Sequence, residues 1–255
     1  MGNTLPERLA DQLGRVGSVG VITGAGVSAE SGIPTYRGKG GIYDDPDEGD
    51  RTVEALTGTT LKVDPDRTWT AVGELARSAV KAQPNPAHHA IVEMERKARS
   101  FVLLTQNVDG LHQAAGSRNV IDIHGNIFET RCMDCAARET LSRERIAGIT
   151  ESPRCAACGG ILRPDAVLFG EMLPAGKVAR LRSELEERIP DLVVVAGTSA
   201  LFPYIAAPVL HAARAGHLTI EVNPEPTYLS EAVGHFVQGP AGEILPQIAA
   251  ALPRR

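Results

Sequence analysis

The chain has 255 residues, of which 43% are hydrophobic and 22% charged, and its formal net charge is −5. That length suits one large domain, or a domain carrying an inserted module, with a sizeable buried core. The acidic balance excludes a general nucleic-acid surface, and the sequence has no run of about 18 apolar residues with which to cross a membrane. Residues 1–20 (MGNTLPERLADQLGRVGSVG) lack the basic start and apolar stretch of a secretion signal, so a cytoplasmic location is expected.

In chain order, short apolar runs fall at 19–23, 101–105, 120–123, 192–196 and 218–222, with a weaker one at 235–237. They are rich in Val and Ile without alternation, which predicts strands buried on both faces. Helical spacing appears between several of them, at 86–98, 176–188 and 206–215. Strands alternating with helices predict an α/β, Rossmann-like, doubly wound parallel sheet. Two stretches break the rhythm. Residues 36–83 are polar and glycine-marked, with an acidic run at 44–50 that reads as a solvated loop, and 131–164 hold all four cysteines. The predicted organisation is a sheet domain from 1–35, 84–130 and 165–255. Insertions at 36–83 (helical and loop) and 131–164 (zinc ribbon) together form a small domain.

The chemistry-bearing residues cluster at predicted strand ends. Gly24-Ala25-Gly26-Val27-Ser28-Ala29 fits G-x-G-x-x-A directly after a strand, where glycines allow a tight turn and close approach to a pyrophosphate. The following helix would aim its N-terminal amides at that anion. The bland alternative is a tight strand-to-helix turn. No acidic residue stands at a second strand end about 20 positions on, which weakens a dehydrogenase reading. Other strands run into Gln106-Asn107-Val108-Asp109, His124-Gly125-Asn126, Gly197-Thr198-Ser199 and Asn223. Parallel sheets bind ligands at these ends, although Asn and Asp also make turns and Gly-Thr-Ser also caps helices. His124 is the candidate general base, with Gly125 expected to expose its ring; His88 and His89 lie in a helix, and His112, His211, His217 and His235 have no such setting. Cys132-x2-Cys135, nineteen further residues and Cys155-x2-Cys158 form two knuckles that predict one tetrahedral, structural Zn²⁺, with disulfides or a redox pair as the rivals.

Taken together, GAGVSAESGIPTYRG, TQNVDGLH, DIHGNIFETRC, the two knuckles, RPDAVLFGEMLP, GTSALFPYI and EVNPEP resemble the sirtuins, NAD-dependent protein deacylases, of a bacterial type. The matching blocks lie in order over residues 24–226. The resemblance implies that NAD is consumed as a co-substrate and does not carry hydride. It implies one structural zinc, acyl-lysine proteins as substrates, and a monomer with neither nucleic acid nor membrane as partner. His124 and Asn107 would be catalytic. Gly24, Ala25 and Gly26 would lie along the phosphates, with Arg37 in the cofactor loop and Ser28 and Tyr36 also binding the cofactor. Gln106, Asn107 and Asp109 would line the nicotinamide and ribose, and Gly197, Thr198, Ser199 and Asn223 the adenosine half, with Glu225 and Ala241 also binding the cofactor. Val167 and Phe169 would pair with substrate peptide. By spacing from Trp69, Val72 and Leu75 would face the acyl group, where the succinyl-preferring relatives carry Tyr and Arg. Two apolar residues favour acetyl or a longer apolar chain, although Arg77 stands close by.

The sequence departs from the family's usual pattern at Tyr36, at Ala166 and in 200–205 (ALFPYI), where Phe202 is bulkier. The competing readings are an ADP-ribosyltransferase or NAD hydrolase on the same scaffold, a non-catalytic zinc-ribbon binding module, and an NAD dehydrogenase.

Overall fold

A computed structural model describes residues 5–36, 41 and 45–254. Among the described residues nine strands appear in chain order: β1 (Ser18–Thr23), β2 (Ser100–Thr105), β3 (Val120–Asp122), β4 (Gly125–Cys132), β5 (Arg138–Thr140), β6 (Leu162–Ala166), β7 (Leu192–Ala196), β8 (Leu218–Asn223) and β9 (His235–Gln238). Six of them form one sheet in the order β3-β2-β1-β7-β8-β9, and every pairing in it is parallel. The chain works outward from β1 through β2 to β3, then crosses to β7 and works outward to β9. The topological switch therefore lies between β1 and β7, where an open α/β sheet forms its binding crevice.

Alternate residues of the central strands enter two separate cores. Val19 and Val21 pack on one face with Leu9, Leu13, Ile91, Met94 and Ile244, while Ile22 packs on the other with Leu104, Val195, Ile205 and Val209. This two-sided burial is why the strands read as continuous apolar runs and not as alternating ones.

A second sheet, antiparallel and in the order β5-β4-β6, spans residues 125–166. It is pinned at its start by Gly125, whose φ is +83°; a Cβ there would stand 2.0 Å from the Asp165 carbonyl oxygen. Gly125 thus serves strand pairing, and the His124 ring beside it is half-buried, not exposed as the sequence suggested.

The acidic run is not simply a loop. Asp45 caps a helix, Pro46–Ala55, its carboxylate accepting from the Asp47 and Glu48 amides, and two of the acidic residues fall in the first turn, where negative charge complements the helix dipole. Two more helices follow, Gly58–Val63 and Pro65–Ala79. The last buries Trp69 fully, and its indole N–H donates to the Leu162 carbonyl at 2.8 Å. One side chain thereby joins the helical stretch to β6 of the cysteine-bearing sheet. Among the described residues no helix is long and apolar enough to span a membrane.

Candidate functional site

The turns after β1 and β7 meet at the switch point and interlock. The Gly24 amide donates to the Ala196 carbonyl at 3.1 Å, and the Gly26 amide to the Gly197 carbonyl at 2.8 Å. A Cβ on Gly24 would lie 2.6 Å from Thr198 Cβ, and one on Gly26 2.8 Å from Gly197 Cα. These two glycines are demanded by the neighbouring turn before any ligand arrives. The helix expected to present its amides to an anion is a single turn, Gly26–Ala29. It carries little of the macrodipole that a full helix would have.

A buried polar chain runs behind this turn. Asn107 Nδ2 donates to the Gly24 carbonyl and to Ser28 Oγ, both at 3.1 Å, and Ser28 Oγ donates to Asp109 Oδ2 at 2.7 Å. Asp109 Oδ1 accepts from the Leu111 amide at 2.8 Å. Ser28, Asn107 and Asp109 are all buried, so each hydrogen bond fixes a side chain that would otherwise be costly to desolvate. Gln106 reaches across the switch, its Nε2 donating to Thr198 Oγ1 at 2.9 Å. Asn223 Nδ2 donates to the Thr198 carbonyl at 3.2 Å and to Glu221 Oε1 at 2.9 Å. Glu221 is fully buried and also accepts from the Thr227 and Ser230 hydroxyls, each at 2.6 Å.

His124 is held at both ring nitrogens. Nδ1 lies 3.0 Å from the Gln106 carbonyl, which can only accept, so Nδ1 carries the proton. Nε2 is then the acceptor, and the Tyr204 hydroxyl donates to it at 2.6 Å. Burial holds the His124 pKa below its usual value; the Gln106 hydrogen bond opposes that shift and the Lys177 charge reinforces it. At neutral pH the ring is therefore neutral, with its lone pair on Nε2. Two further histidines are buried: the His112 and His88 rings lie with centroids 4.8 Å apart and planes tilted by 54°, and His112 Nε2 lies 3.0 Å from Thr23 Oγ1. Burial lowers the His88 pKa to about 4 and the His112 pKa to about 3.

The remaining candidates are more dispersed. Tyr36 is half-buried, and Arg37 lies outside the described residues. Ala25 sits in the glycine turn, Ser199 and Glu225 are exposed, and Ala241 is buried at the start of the Ala241–Ala251 helix. Val72 is buried in a core with Trp69, Phe128 and Ile146, and Leu75 packs against the same core. The Val167 amide donates to the His124 carbonyl at 2.8 Å. At Phe169 the amide donates to the Leu56 carbonyl and the carbonyl accepts from the Gly58 amide, so its ring, 39% exposed, is what it offers outward.

The four cysteine sulfurs lie within 4.8 Å of one another. Cys132 and Cys158 Sγ are 3.5 Å apart and Cys135 and Cys155 Sγ 3.8 Å, too far for disulfides and close to the roughly 3.8 Å edge of a tetrahedron with 2.3 Å Zn–S bonds. The donor set fits Zn²⁺. Four thiolates would close its coordination, so an ion held here would be structural, and one convergent cluster of four suits it better than two disulfides.

Sequence reasoning did not find Arg143, Glu221 or Tyr204. Arg143 donates to the Ala79 and Asp109 carbonyls, each at 2.9 Å, and its guanidinium lies 4.4 Å from the centre of the Phe128 ring. No local pattern around Arg143 announces this. Tyr204 lies within the divergent 200–205 stretch, whose departure was visible although its hydroxyl's target was not.

The Sir2 family model matches residues 24–202. The chain is 44% identical over 249 residues to NAD-dependent protein deacylase 2 of Pseudomonas aeruginosa, covering 96% of each chain. It is similar to a Sir2 homolog solved in complex with NAD, with a TM-score of 0.84, 37% identity and coverage of 98% of this chain and 94% of the other. Sir2Af2 bound to a myristoylated histone peptide gives a TM-score of 0.75 at 32% identity, covering 96% and 94% of the two chains. With the family model covering most of the chain and relatives matching nearly end to end, the chain belongs to the Sir2 family.

Proposed function

We infer that this chain is an NAD-dependent protein lysine deacylase, releasing nicotinamide and transferring the acyl group of acyl-lysine to ADP-ribose. The observation that carries the reading is His124, a neutral imidazole with its Nε2 lone pair held at the strand-tip crevice beside Gln106, Asn107 and Asp109. NAD supplies a leaving group, nicotinamide, and the ribose carbon that accepts the acyl oxygen. Gly24, Ala25 and Gly26 lie along the phosphates, and the resemblance assigns Arg37 to the cofactor loop. Asp109, oriented by Ser28 and Leu111, meets the carboxamide, with Asn107 and Gln106 beside it. Gly197, Thr198, Ser199 and Asn223 take the adenosine half, and Glu225 and Ala241 complete the cofactor-binding set. Tyr36 helps to keep water from the cation that develops on the ribose, since water there would give simple hydrolysis. His124 then removes a proton from a ribose hydroxyl, activating it to attack the acyl-derived carbon.

The substrate lies between the parallel sheet and the small domain formed by 36–83 and 131–164, beside Val167 and Phe169. For the acyl group, Val72 and Leu75 provide apolar surroundings. Arg77 turns elsewhere: its guanidinium lies 3.5 Å from Glu74 and donates to the Ala147 carbonyl at 3.4 Å. A buried succinyl carboxylate would lack a partner, at a cost of several kcal/mol. The net charge of −5 offers no general attraction for nucleic acid, which suits an enzyme acting on proteins.

Mass spectrometry of products from NAD and a panel of acyl-lysine peptides tests the reading. O-acyl-ADP-ribose and free lysine peptide are expected, with kcat/KM for acetyl-lysine above that for succinyl-lysine. ADP-ribosylated protein, or free ADP-ribose alone, would instead point to transferase or hydrolase chemistry. A succinyl value equal to or above the acetyl value would remove Val72 and Leu75 from the acyl pocket.

A further inference from the structure

We propose that Tyr204 is a second catalytic residue, whose hydroxyl passes the ribose hydroxyl proton to His124 Nε2. The inference rests on His124 being the base. With Nδ1 donating to the Gln106 carbonyl, Nε2 has one lone pair, and the Tyr204 hydroxyl occupies it at 2.6 Å. A substrate hydroxyl can reach that lone pair only by displacing Tyr204 or by acting through it. The surroundings favour the second route. Tyr204 follows Pro203 in the first turn of the Pro203–Arg214 helix, so its backbone is fixed. Its ring stacks on Phe202 at 5.4 Å with an interplanar angle of 17°, meets His124 edge-on at 6.0 Å, and packs against the apolar core that contains Ile205 and Val209.

In the relay, the ribose hydroxyl gives its proton to Tyr204 Oη as the Tyr204 proton moves to His124 Nε2. The ribose oxygen forms its bond to the acyl-derived carbon, and the C=N π pair moves onto the lysine nitrogen. Tyr204 begins and ends neutral, and His124 ends as imidazolium, holding the proton that the departing lysine amine later takes. Burial raises the Tyr204 pKa to about 12, so the phenol enters each cycle protonated.

The test is Tyr204→Phe, which keeps the ring and its stacking. Loss of nicotinamide precedes the proton transfer, so exchange of labelled nicotinamide into NAD in the presence of acyl peptide should stay near wild type, while kcat for O-acyl-ADP-ribose falls at least about tenfold. A second readout needs no NAD. In the free protein the His124 imidazole, which also faces Lys177 and the Lys177–Asp122 pair, should titrate at higher pH in Tyr204→Phe, because the donor that stabilised its neutral form is gone. Unchanged or faster deacylation, equal losses of exchange and deacylation, or an unchanged His124 titration would each overturn the relay. His124→Ala separates the two readings. If it still deacylates, the base assignment itself fails; if it is inactive while Tyr204→Phe is active, only the relay fails.

Discussion

The two sheets of this molecule are held together by different physics. The six-stranded sheet is packed on both faces by two apolar cores, and its functional tips are cross-linked by buried hydrogen bonds. The three-stranded sheet has at its cysteine end only Cys132, Cys155 and Leu162 as buried apolar residues, with Ala137 against them. A core that small contributes too little to offset the entropy of ordering the chain around it. The difference teaches that four thiolates and an ion do at one end of the molecule what some forty apolar side chains do at the other.

Removing the metal is the strongest way to break the comparison. Cys132→Ser, Cys155→Ser or exhaustive chelation should release one zinc per chain and abolish deacylation, since structural zinc binding is itself folding free energy. Hydrogen exchange should show protection lost over residues 125–166 and kept in β1, β2 and β7. Wild-type protein that is fully active yet metal-free by elemental analysis would contradict the structural role.

Next in size is His124→Ala. It should leave protection in both sheets intact and cut deacylation by about 10²–10⁴-fold, the usual contribution of a general base. Retention of more than half the wild-type rate would rule His124 out. The rate should also fall on acidification only below the ordinary histidine pKa, because burial lowers the folded value and the neutral form is the active one.

Ser28→Ala sharpens the view of the larger sheet. It deprives Asp109 Oδ2 of a donor and Asn107 Nδ2 of an acceptor. A loss of about 1–3 kcal/mol in stability is expected from denaturant titration, together with a raised KM for NAD. An unchanged midpoint and KM would show that the chain of hydrogen bonds is not what sets the tip.

Much of this was legible beforehand, and the exceptions have physical reasons. All six parallel strands were visible because burial on both faces leaves unbroken runs such as LVVVA, and the metal site because paired knuckles have a fixed spacing. Residues 44–50 read as a loop because charge dominates them; a capping carboxylate and a proline at the first helical position were the better cues. Glycines 24 and 26 read as room for a pyrophosphate, yet the nearest obstacle to a side chain there is the turn at Gly197 and Thr198, which no local pattern reports. Arg143 and Tyr204 were missed for the same reason: each is defined by the tertiary partners of one polar group.

The smallest effect is one of pH. His88 and His112 are buried neutral, with folded pKa values of about 4 and 3 against an unfolded value near 6.5. Below pH 6.5 the unfolded chain binds protons that the folded chain refuses, so stability falls with acidification until the folded values are reached. Between pH 6.5 and 5 the loss is up to about 2 kcal/mol per histidine. His112→Gln should flatten that slope in thermal melts; an unchanged slope would place the acid sensitivity elsewhere.

Arg143 has a mechanical consequence. Its guanidinium holds the end of the Pro65–Ala79 helix through the Ala79 carbonyl and the loop after β2 through the Asp109 carbonyl. Any gaping of the cleft that keeps both bonds must swing about this residue as a pivot. The loop bearing Asn107 and Asp109 then moves with the end of that helix and not independently of it. One guanidinium thus ties the hydrogen-bonded chain of Ser28, Asn107 and Asp109 to the helical segment that buries Trp69.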